Sequence, residues 1–512
     1  MKKKLYQSCN VLFLALFFLI TLNMIVQSHS LFRFLGAIGI ILLCLLGSYL
    51  LAKHGDFVLK NEKWMVSFIF FVYFILQLIC MHDIAVKPSW DFGQIYANPI
   101  SLLSTSQLSN PEYLAEFPNN LFLVFVIYII DGLASLFHIT NFLAVGIVFN
   151  IIMIDLAIYF LYLTVNRLYN KKMGFFVLLL CFFITPFFTY VPIFYSDTLT
   201  MLFPILALYC YTVFIQKDQE WNRKNILLWI IIITAILMGM QIKFTVIIML
   251  IAILIDYFFR VRTTTWKKFL PLIVAVFGIV FLGFHSLQSY LVYKWDIDLN
   301  EQIPYTHWIM MGLVHDGGYD KTEYHYTRTF HTKEEKTKAN IDMIKSRLGA
   351  YGPGGYLKFL NHKLAVTWND GTYYAPEKLR RFPLSANNIV YQTFSNQGRY
   401  YKYYSGVANA IHMVLLLLIM GSTVLTLYHR QADVVSVCRL AVMGLTIFLL
   451  LWETRSRYLV QFLPLIIVCA LPIIDQTMKY IINLLKIRRE EHETTTNIFR
   501  TDISKDQTLV KS

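Results

Sequence analysis

Charged residues are scarce in this sequence. They make up 15% of the 512 residues, whereas 57% are hydrophobic, and a soluble globular chain carries about a quarter charged residues. The composition therefore excludes a soluble globular protein, and its apolar content excludes a wholly disordered chain. Acidic residues are fewer than basic residues: the chain has 31 Asp and Glu and 45 Lys and Arg. Because many of the cations lie in short gaps between apolar runs, they indicate membrane topology and not nucleic-acid binding.

Cysteine is also sparse. The chain has seven cysteines, none of them in the polar stretch 291–405, and no pair has the spacing of metal ligands. This pattern excludes a disulfide scaffold and offers no zinc site. No cofactor is predicted from the sequence, although a divalent metal between two external aspartates is left open.

Long apolar runs, in contrast, are abundant. About 20 apolar residues cross a bilayer as a helix, and thirteen candidate runs of about that length occur. They lie near 9–28, 31–52, 64–82, 120–137, 141–164, 174–194, 198–215, 226–241, 244–259, 268–290, 407–428, 434–452 and 457–476. The sequence therefore predicts an all-α polytopic membrane protein with about 12–13 transmembrane helices in the cell membrane.

Four regions follow from these runs. We expect a membrane module at 1–290 with an external loop at 83–119, an extracellular loop domain at 291–405, and C-terminal membrane helices at 406–485. The polar tail 486–512 is predicted to be disordered and cytoplasmic. Within the extracellular loop domain, mixed charges at helical spacing predict a surface helix at 333–348.

The cations of the short loops predict the orientation. They place the N-terminus and the loops 53–63 and 166–173 in the cytoplasm. An even number of crossings must then separate these two loops, but three apolar runs lie between them. The best candidate for a run that does not cross is 120–137, which Asp131 and Gly132 interrupt; we expect it to lie along the outer surface.

Acids at the external ends of the helices are candidate catalytic groups. Asp91 lies in an aromatic segment just beyond a membrane span, where partial desolvation suits a carboxylate to accept a proton from a hydroxyl. Asp197 lies in a short external turn. Either acid could instead cap a helix.

Cations at the same external side are candidate phosphate ligands. Lys243, Arg455 and Arg457 lie in external turns, against the positive-inside bias, and a lipid phosphate is a natural partner for such cations. Snorkelling and pairing with Glu453 remain an alternative for one of them.

Together these segments resemble the GT-C fold membrane glycosyltransferases, most closely the protein O-mannosyltransferase and aminoarabinose-transferase branch. The resemblance also extends, through the loop 291–405, to integral membrane proteins of Gram-positive bacteria. The matching segments are Trp90-Asp91, Asn170-Lys171-Lys172-Met173-Gly174, Tyr195-Ser196-Asp197, Lys243, His307, Trp368-Asn369-Asp370-Gly371 and Arg455-Ser456-Arg457-Tyr458.

The resemblance implies transfer of a sugar from a polyprenyl-phosphate donor to a cell-envelope glycan or polymer outside the membrane, with inversion. It implies Asp91 and Asp197 as catalytic acids, with Lys243, Arg455 and Arg457 on the donor phosphate. Trp90, His307, Trp368 and Asp370 are then the expected substrate-binding residues. Two alternatives stay open: a transporter or flippase of a lipid-linked saccharide, and a non-catalytic subunit of a cell-wall glycan complex.

Overall fold

The computed structural model describes residues 2–26, 31–217, 219–429 and 433–485, so the tail predicted at 486–512 lies outside the described residues. The described chain is all-α, with one isolated bridge between Val86 and Pro383 and no strand. Its first helices are α1 (Lys2–Val26), α2 (Leu31–Lys60), α3 (Glu62–Asp83), α4 (Trp90–Thr105), α5 (Pro111–Glu116), α6 (Leu121–Leu136), α7 (Phe142–Leu168), α8 (Lys171–Cys181), α9 (Pro186–Thr189), α10 (Ser196–Leu199) and α11 (Leu202–Ile215).

The later helices complete the membrane part and form most of the external part. They are α12 (Arg223–Ile242), α13 (Ile247–Arg260), α14 (Thr263–Lys294), α15 (Thr306–Met311), α16 (Lys321–Arg328), α17 (Lys333–Trp368), α18 (Ala375–Leu379), α19 (Ile389–Phe394), α20 (Tyr401–His429) and α21 (Val435–Leu451). A 3₁₀ segment, Ser456–Phe462, then leads into α22, which covers residues 463–485.

Ten helices of the described residues are long and apolar enough to cross a membrane. This confirms the predicted fold class, an all-α polytopic membrane protein. The other three predicted runs are also helical but shorter. The run 174–194 is interrupted because Pro186 lacks an N–H and its ring clashes with the carbonyl four residues earlier, so α8 ends at Cys181.

Two of the long helices are central in the bundle. The apolar windows of Ser196–Ile215 and Ser456–Leu485 are each 83% buried, whereas that of Thr263–Lys294 is 6% buried. A helix that is apolar all round and surrounded by other helices belongs to the interior. Both central helices begin at the same end of the bundle, with Asp197 and Arg457 in or near their first turns.

Contacts between distant segments define the two ends of the bundle. Lys171 pairs with Glu62, Gln216 donates to the Arg167 carbonyl (2.7 Å), and Tyr6 donates to the Asp433 carbonyl (2.8 Å). We call the end that holds these contacts the opposite end. The other end, where the central helices begin, is called the site end.

The segment predicted not to cross has both of its flanks at the site end. Helix α3 runs from Glu62 at the opposite end to Asp83, and α7 returns from Phe142 to Arg167. The chain between Asp83 and Phe142 therefore leaves and re-enters the bundle at one end. Within it α6 packs on α4. An even number of crossings between the loops 53–63 and 166–173 requires this geometry. Helix α6 is nevertheless long enough to span a membrane.

The two regions that the sequence predicts to be external, 83–119 (the first external region) and 291–405 (the second external region), pack together at the site end. Lys87 N–H donates to the Phe382 carbonyl (2.8 Å), and Leu384 N–H donates to the Ala85 carbonyl (2.9 Å). Farther along, Arg328 Nε lies 2.7 Å from Glu116 Oε1. The first external region is thus held between the membrane helices and the second.

The predicted surface helix is longer than its charge pattern indicates. Helix α17 begins at Lys333 behind a capping box formed by Thr332 and Glu335, and it continues past 348 to Trp368. Gly352 interrupts it with φ of 57°, a conformation that glycine adopts without steric cost. The kink joins two helical halves that the sequence pattern did not connect.

Candidate active site at the site end

Asp197 is the most deeply buried acid of the site. It lies in the first turn of α10 and is 3% exposed. Lys243 forms an ion pair with Oδ1, and Arg457 Nη1 lies 3.6 Å from Oδ2. A buried carboxylate is expensive unless cations compensate it, so these two contacts explain how the charge is tolerated.

Tyr458 connects the two cations to a further acid. Lys243 Nζ lies 4.6 Å from the centroid of the Tyr458 ring and the Arg457 guanidinium lies 4.8 Å from it. The Tyr458 hydroxyl accepts from Arg457 Nη2 (3.2 Å) and donates to Glu453 Oε1 (2.8 Å). The cations are therefore held by one aromatic ring and by acids on two sides.

Asp91 has a different environment. It lies in the first turn of α4, and the Tyr195 hydroxyl donates to its Oδ2 (3.3 Å). The Tyr113 hydroxyl also bonds to Asp91, and burial, followed by the charge of Asp91, raises the pKa of Tyr113 well above its ordinary value. No ion pair to Asp91 occurs in the described part of the chain. The carboxylate is held in place by hydroxyls, not by cations, among the described residues.

Trp90 links the two acids. Its indole packs edge-on against Tyr195 at 5.0 Å, with Lys378 Nζ 3.5 Å from a ring centroid and the Arg457 guanidinium 5.6 Å from one. Its backbone has φ of 50°, which is uncommon for a non-glycine residue and typical of functional sites. Since Trp90 immediately precedes Asp91 and its ring contacts Arg457, Asp91 and Arg457 belong to one cluster.

The structure thus brings together five of the predicted site residues: Trp90, Asp91, Asp197, Lys243 and Arg457. Arg455 is turned away from them. It pairs with Asp316 and lies over the Tyr374 ring, 5.6 Å from its centroid. Gly318 leaves the space for this guanidinium, since a Cβ there would come within 2.1 Å of it.

Asp370 organises a turn beside the cluster. Its carboxylate accepts from the N–H groups of Thr372 (2.9 Å) and Tyr374 (2.7 Å), and from the Ser456 hydroxyl (2.7 Å). These bonds tie the second external region to the segment that carries Arg457. They support a positioning role for Asp370, where the resemblance implied contact with a substrate.

Trp368 and His307 do not reach the cluster. Trp368 is fully buried and packs against Phe17 (5.1 Å) and His412 (6.3 Å). His307 is 2% exposed, and its Nδ1 lies 2.7 Å from the Thr327 hydroxyl. Both side chains are occupied in packing, which favours a structural role over the expected sugar contact.

The sequence reasoning missed Lys378. It lies on α18 at the end of the second external region, is 6% exposed, and faces Trp90. Burial, then the charges of Arg457 and Arg381, lower the pKa of Lys378 well below its ordinary value. In the sequence Lys378 begins a basic run that is typical of a solvated surface, so no local signal marks it as a site residue.

The described residues contain no group of three or more His, Cys, Asp or Glu side chains that could bind a metal ion. Asp91 and Asp197 face different partners, tyrosines in one case and cations in the other. The arrangement can do two things chemically: accept a proton at Asp91 and hold an anion against the cations around Trp90.

Comparison with known proteins agrees with the membrane architecture. Neither the curated proteins nor the solved structures include a significant match to this chain. A family model described as "Conserved hypothetical integral membrane protein" matches residues 7–478, which include every residue of the cluster. The chain therefore belongs to this family of conserved integral membrane proteins.

Proposed function

We propose that this protein is a glycosyltransferase that moves a sugar from a polyprenyl-phosphate donor to a hydroxyl of a cell-envelope glycan or polymer. One observation carries the proposal: Asp91 forms no ion pair with any described residue, and it is connected through Tyr195 and Trp90 to Arg457, whose buried Nη1 has no hydrogen-bond partner among those residues. The first group suits a base and the second suits a phosphate ligand.

The reaction follows from these two groups. The acceptor oxygen attacks the anomeric carbon of the donor while Asp91 takes its proton. The bond between that carbon and the phosphate oxygen breaks, and the polyprenyl phosphate leaves with the electron pair. Arg457 and Lys243 then stabilise the charge on the phosphate. A single displacement inverts the anomeric configuration and needs no covalent enzyme intermediate.

The position of the site supports a lipid-linked donor. Asp197, Lys243 and Arg457 lie at the ends of apolar helices, which is the depth at which the phosphate of a membrane-embedded isoprenoid chain is held. The external regions that cover the site end are available to the acceptor. A polyprenyl phosphate is already an acceptable leaving group, so positioning and charge stabilisation supply most of the catalysis.

The test compares Asp91→Asn with Arg457→Ala in purified full-length protein. Asn is nearly isosteric but does not take the proton at neutral pH, so we expect Asp91→Asn to lower sugar transfer at least 100-fold with little change in donor affinity. Arg457→Ala is expected to weaken donor binding and slow transfer together.

Donor affinity and transfer rate are measured side by side, with a polyprenyl-phosphate sugar as substrate. A transporter of lipid-linked saccharides would need no deprotonated hydroxyl. Transfer by Asp91→Asn at the wild-type rate would therefore refute the assignment of the base.

A further inference from the structure

Lys378 is a buried cation without a protein acceptor. Its side chain makes neither a hydrogen bond nor an ion pair with any described residue, and its contact is with the face of Trp90, 3.5 Å from the ring centroid. A desolvated ammonium is stabilised by such a contact, but the contact does not offset the whole cost of its desolvation. The protein alone does not compensate this group.

Arg457 presents a second unsatisfied donor beside the same indole. Its Nη1 is buried and has no hydrogen-bond partner among the described residues, because the nearest Asp197 oxygen lies 3.6 Å away. Since both cations contact Trp90, their free N–H groups lie around one aromatic ring. Two buried cations beside one indole, neither of them fully hydrogen-bonded among the described residues, are a suitable environment for an oxyanion ligand.

The charges that face Lys378 leave it available to a ligand. Asp91 and Asp197 attract it, while Arg457 and Arg381 repel it. Asp197 is already shared by Lys243 and Arg457, and Asp91 is held by tyrosine hydroxyls. A bound phosphate would compensate the positive charges of Lys378 and of the neighbouring arginines, because the two acids already have other partners.

We propose that Lys378 binds the donor phosphate directly, together with Arg457, so that the second external region contributes a ligand to the membrane-embedded site. This inference rests on the proposed function for the identity of the anion. The role of α18 is then to position Lys378 against Trp90. The bridge between Val86 and Pro383 holds the two external regions together beside it.

The experiment measures binding of undecaprenyl phosphate, and separately of inorganic phosphate, to full-length protein. Lys378→Met removes the charge at similar length and is expected to weaken undecaprenyl phosphate binding at least tenfold. Lys378→Arg keeps the charge and should retain most of the affinity. Unchanged lipid binding by a folded Lys378→Met protein would overturn the proposal, as would a loss confined to inorganic phosphate.

A matched control is available in the same external region. Lys336 is also buried, but its Nζ is 3.3 Å from Glu301 Oε2 and bonds to the Glu301 carbonyl (3.0 Å). Lys336→Met should lower stability without changing phosphate affinity. An equal loss of affinity in both methionine variants would mean that removing a buried lysine disturbs the fold, and the proposal would fail.

The wild-type protein provides a measurement that needs no variant. Reductive methylation of Lys378, followed by peptide mass mapping, should be slowed several-fold by undecaprenyl phosphate; an unchanged rate would contradict direct binding. A different result would refute the proposed function. Full sugar transfer by Asp91→Asn would exclude Asp91 as the base, but it would leave the phosphate contact of Lys378 intact.

Discussion

At the scale of single residues, the site is a set of buried charges that depend on one another. Asp197 compensates Lys243 and Arg457, and each cation also contacts the Tyr458 ring. Breaking a buried pair by removing one partner costs more than the pair contributes, because a desolvated charge is left behind. The stability of the site end should therefore be sensitive to the loss of any one member.

We predict that Asp197→Asn lowers the free energy of unfolding by about 3–5 kcal/mol. Thermal unfolding of the detergent-solubilised protein measures it. Asp316→Asn is the control, because Asp316 is 42% exposed in its pair with Arg455 and should cost about 1 kcal/mol or less. Adding Lys243→Met to Asp197→Asn should restore part of the loss; equal effects of the two single variants would contradict this account.

At the scale of elements, α17 joins the external layer to the membrane helices. Near its first half, Arg347 holds Glu323 of α16 through two hydrogen bonds of 2.7 and 2.8 Å. Near its end, Lys363 donates to the carbonyls of Gly312 (2.9 Å) and Trp452 (2.6 Å), which lie at the C-termini of α15 and α21. These contacts fix the layer above the site.

The packing of α15 makes this layer sensitive to acid. Burial lowers the pKa of His307 from 6.5 to about 4, so protonation favours the unfolded state. The stability that neutral His307 contributes is complete above pH 6.5 and is lost as the pH falls toward 4. The loss is on the order of 3 kcal/mol at most.

His307→Gln should therefore remove part of the fall in melting temperature between pH 7 and pH 4.5, since Gln does not titrate and still bonds to the Thr327 hydroxyl. The exposed His325 offers the matching substitution, His325→Gln, which should leave the pH dependence as in the wild type. If both variants lose stability on acidification exactly as much as the wild type, burial of His307 is not the cause.

At the scale of the whole molecule, the structure places three positively charged loops at the same end of the bundle. The cations of 53–63, 166–173 and 217–224 gather at the opposite end, with Glu62, Lys171 and Gln216. The positive-inside rule predicts that this end faces the cytoplasm. The cluster and the regions 83–119 and 291–405 are then predicted to face outward.

Cysteine labelling tests this orientation. Lys345→Cys replaces a side chain that is 74% exposed in the external layer, and an impermeant maleimide should label it in intact cells. Lys63→Cys, exposed at the opposite end, should be labelled only after the membrane is permeabilised. Labelling in the reverse order would invert the topology and place the site in the cytoplasm.

The sequence by itself determined the helices and pointed to most of the site. Run length and apolar content specify membrane helices because lipid offers the backbone no hydrogen-bond partner. The break of the run 174–194 at Pro186 was not predicted, although its cause is a local steric effect. Asp91, Asp197, Lys243 and Arg457 stand out because charge next to apolar helices is costly and is kept where it has partners.

Only the tertiary structure decided which partners those charges have. Arg455 and Arg457 are two residues apart, yet one faces Asp316 and the other Asp197. Trp368 lies in the interior, and Lys378, which belongs to a basic run in the sequence, contacts the ring of Trp90. Such contacts join segments more than a hundred residues apart, and they depend on how helices pack and where a kink turns the chain. Local composition and spacing contain no record of that packing, because they describe neighbours in sequence and not in space.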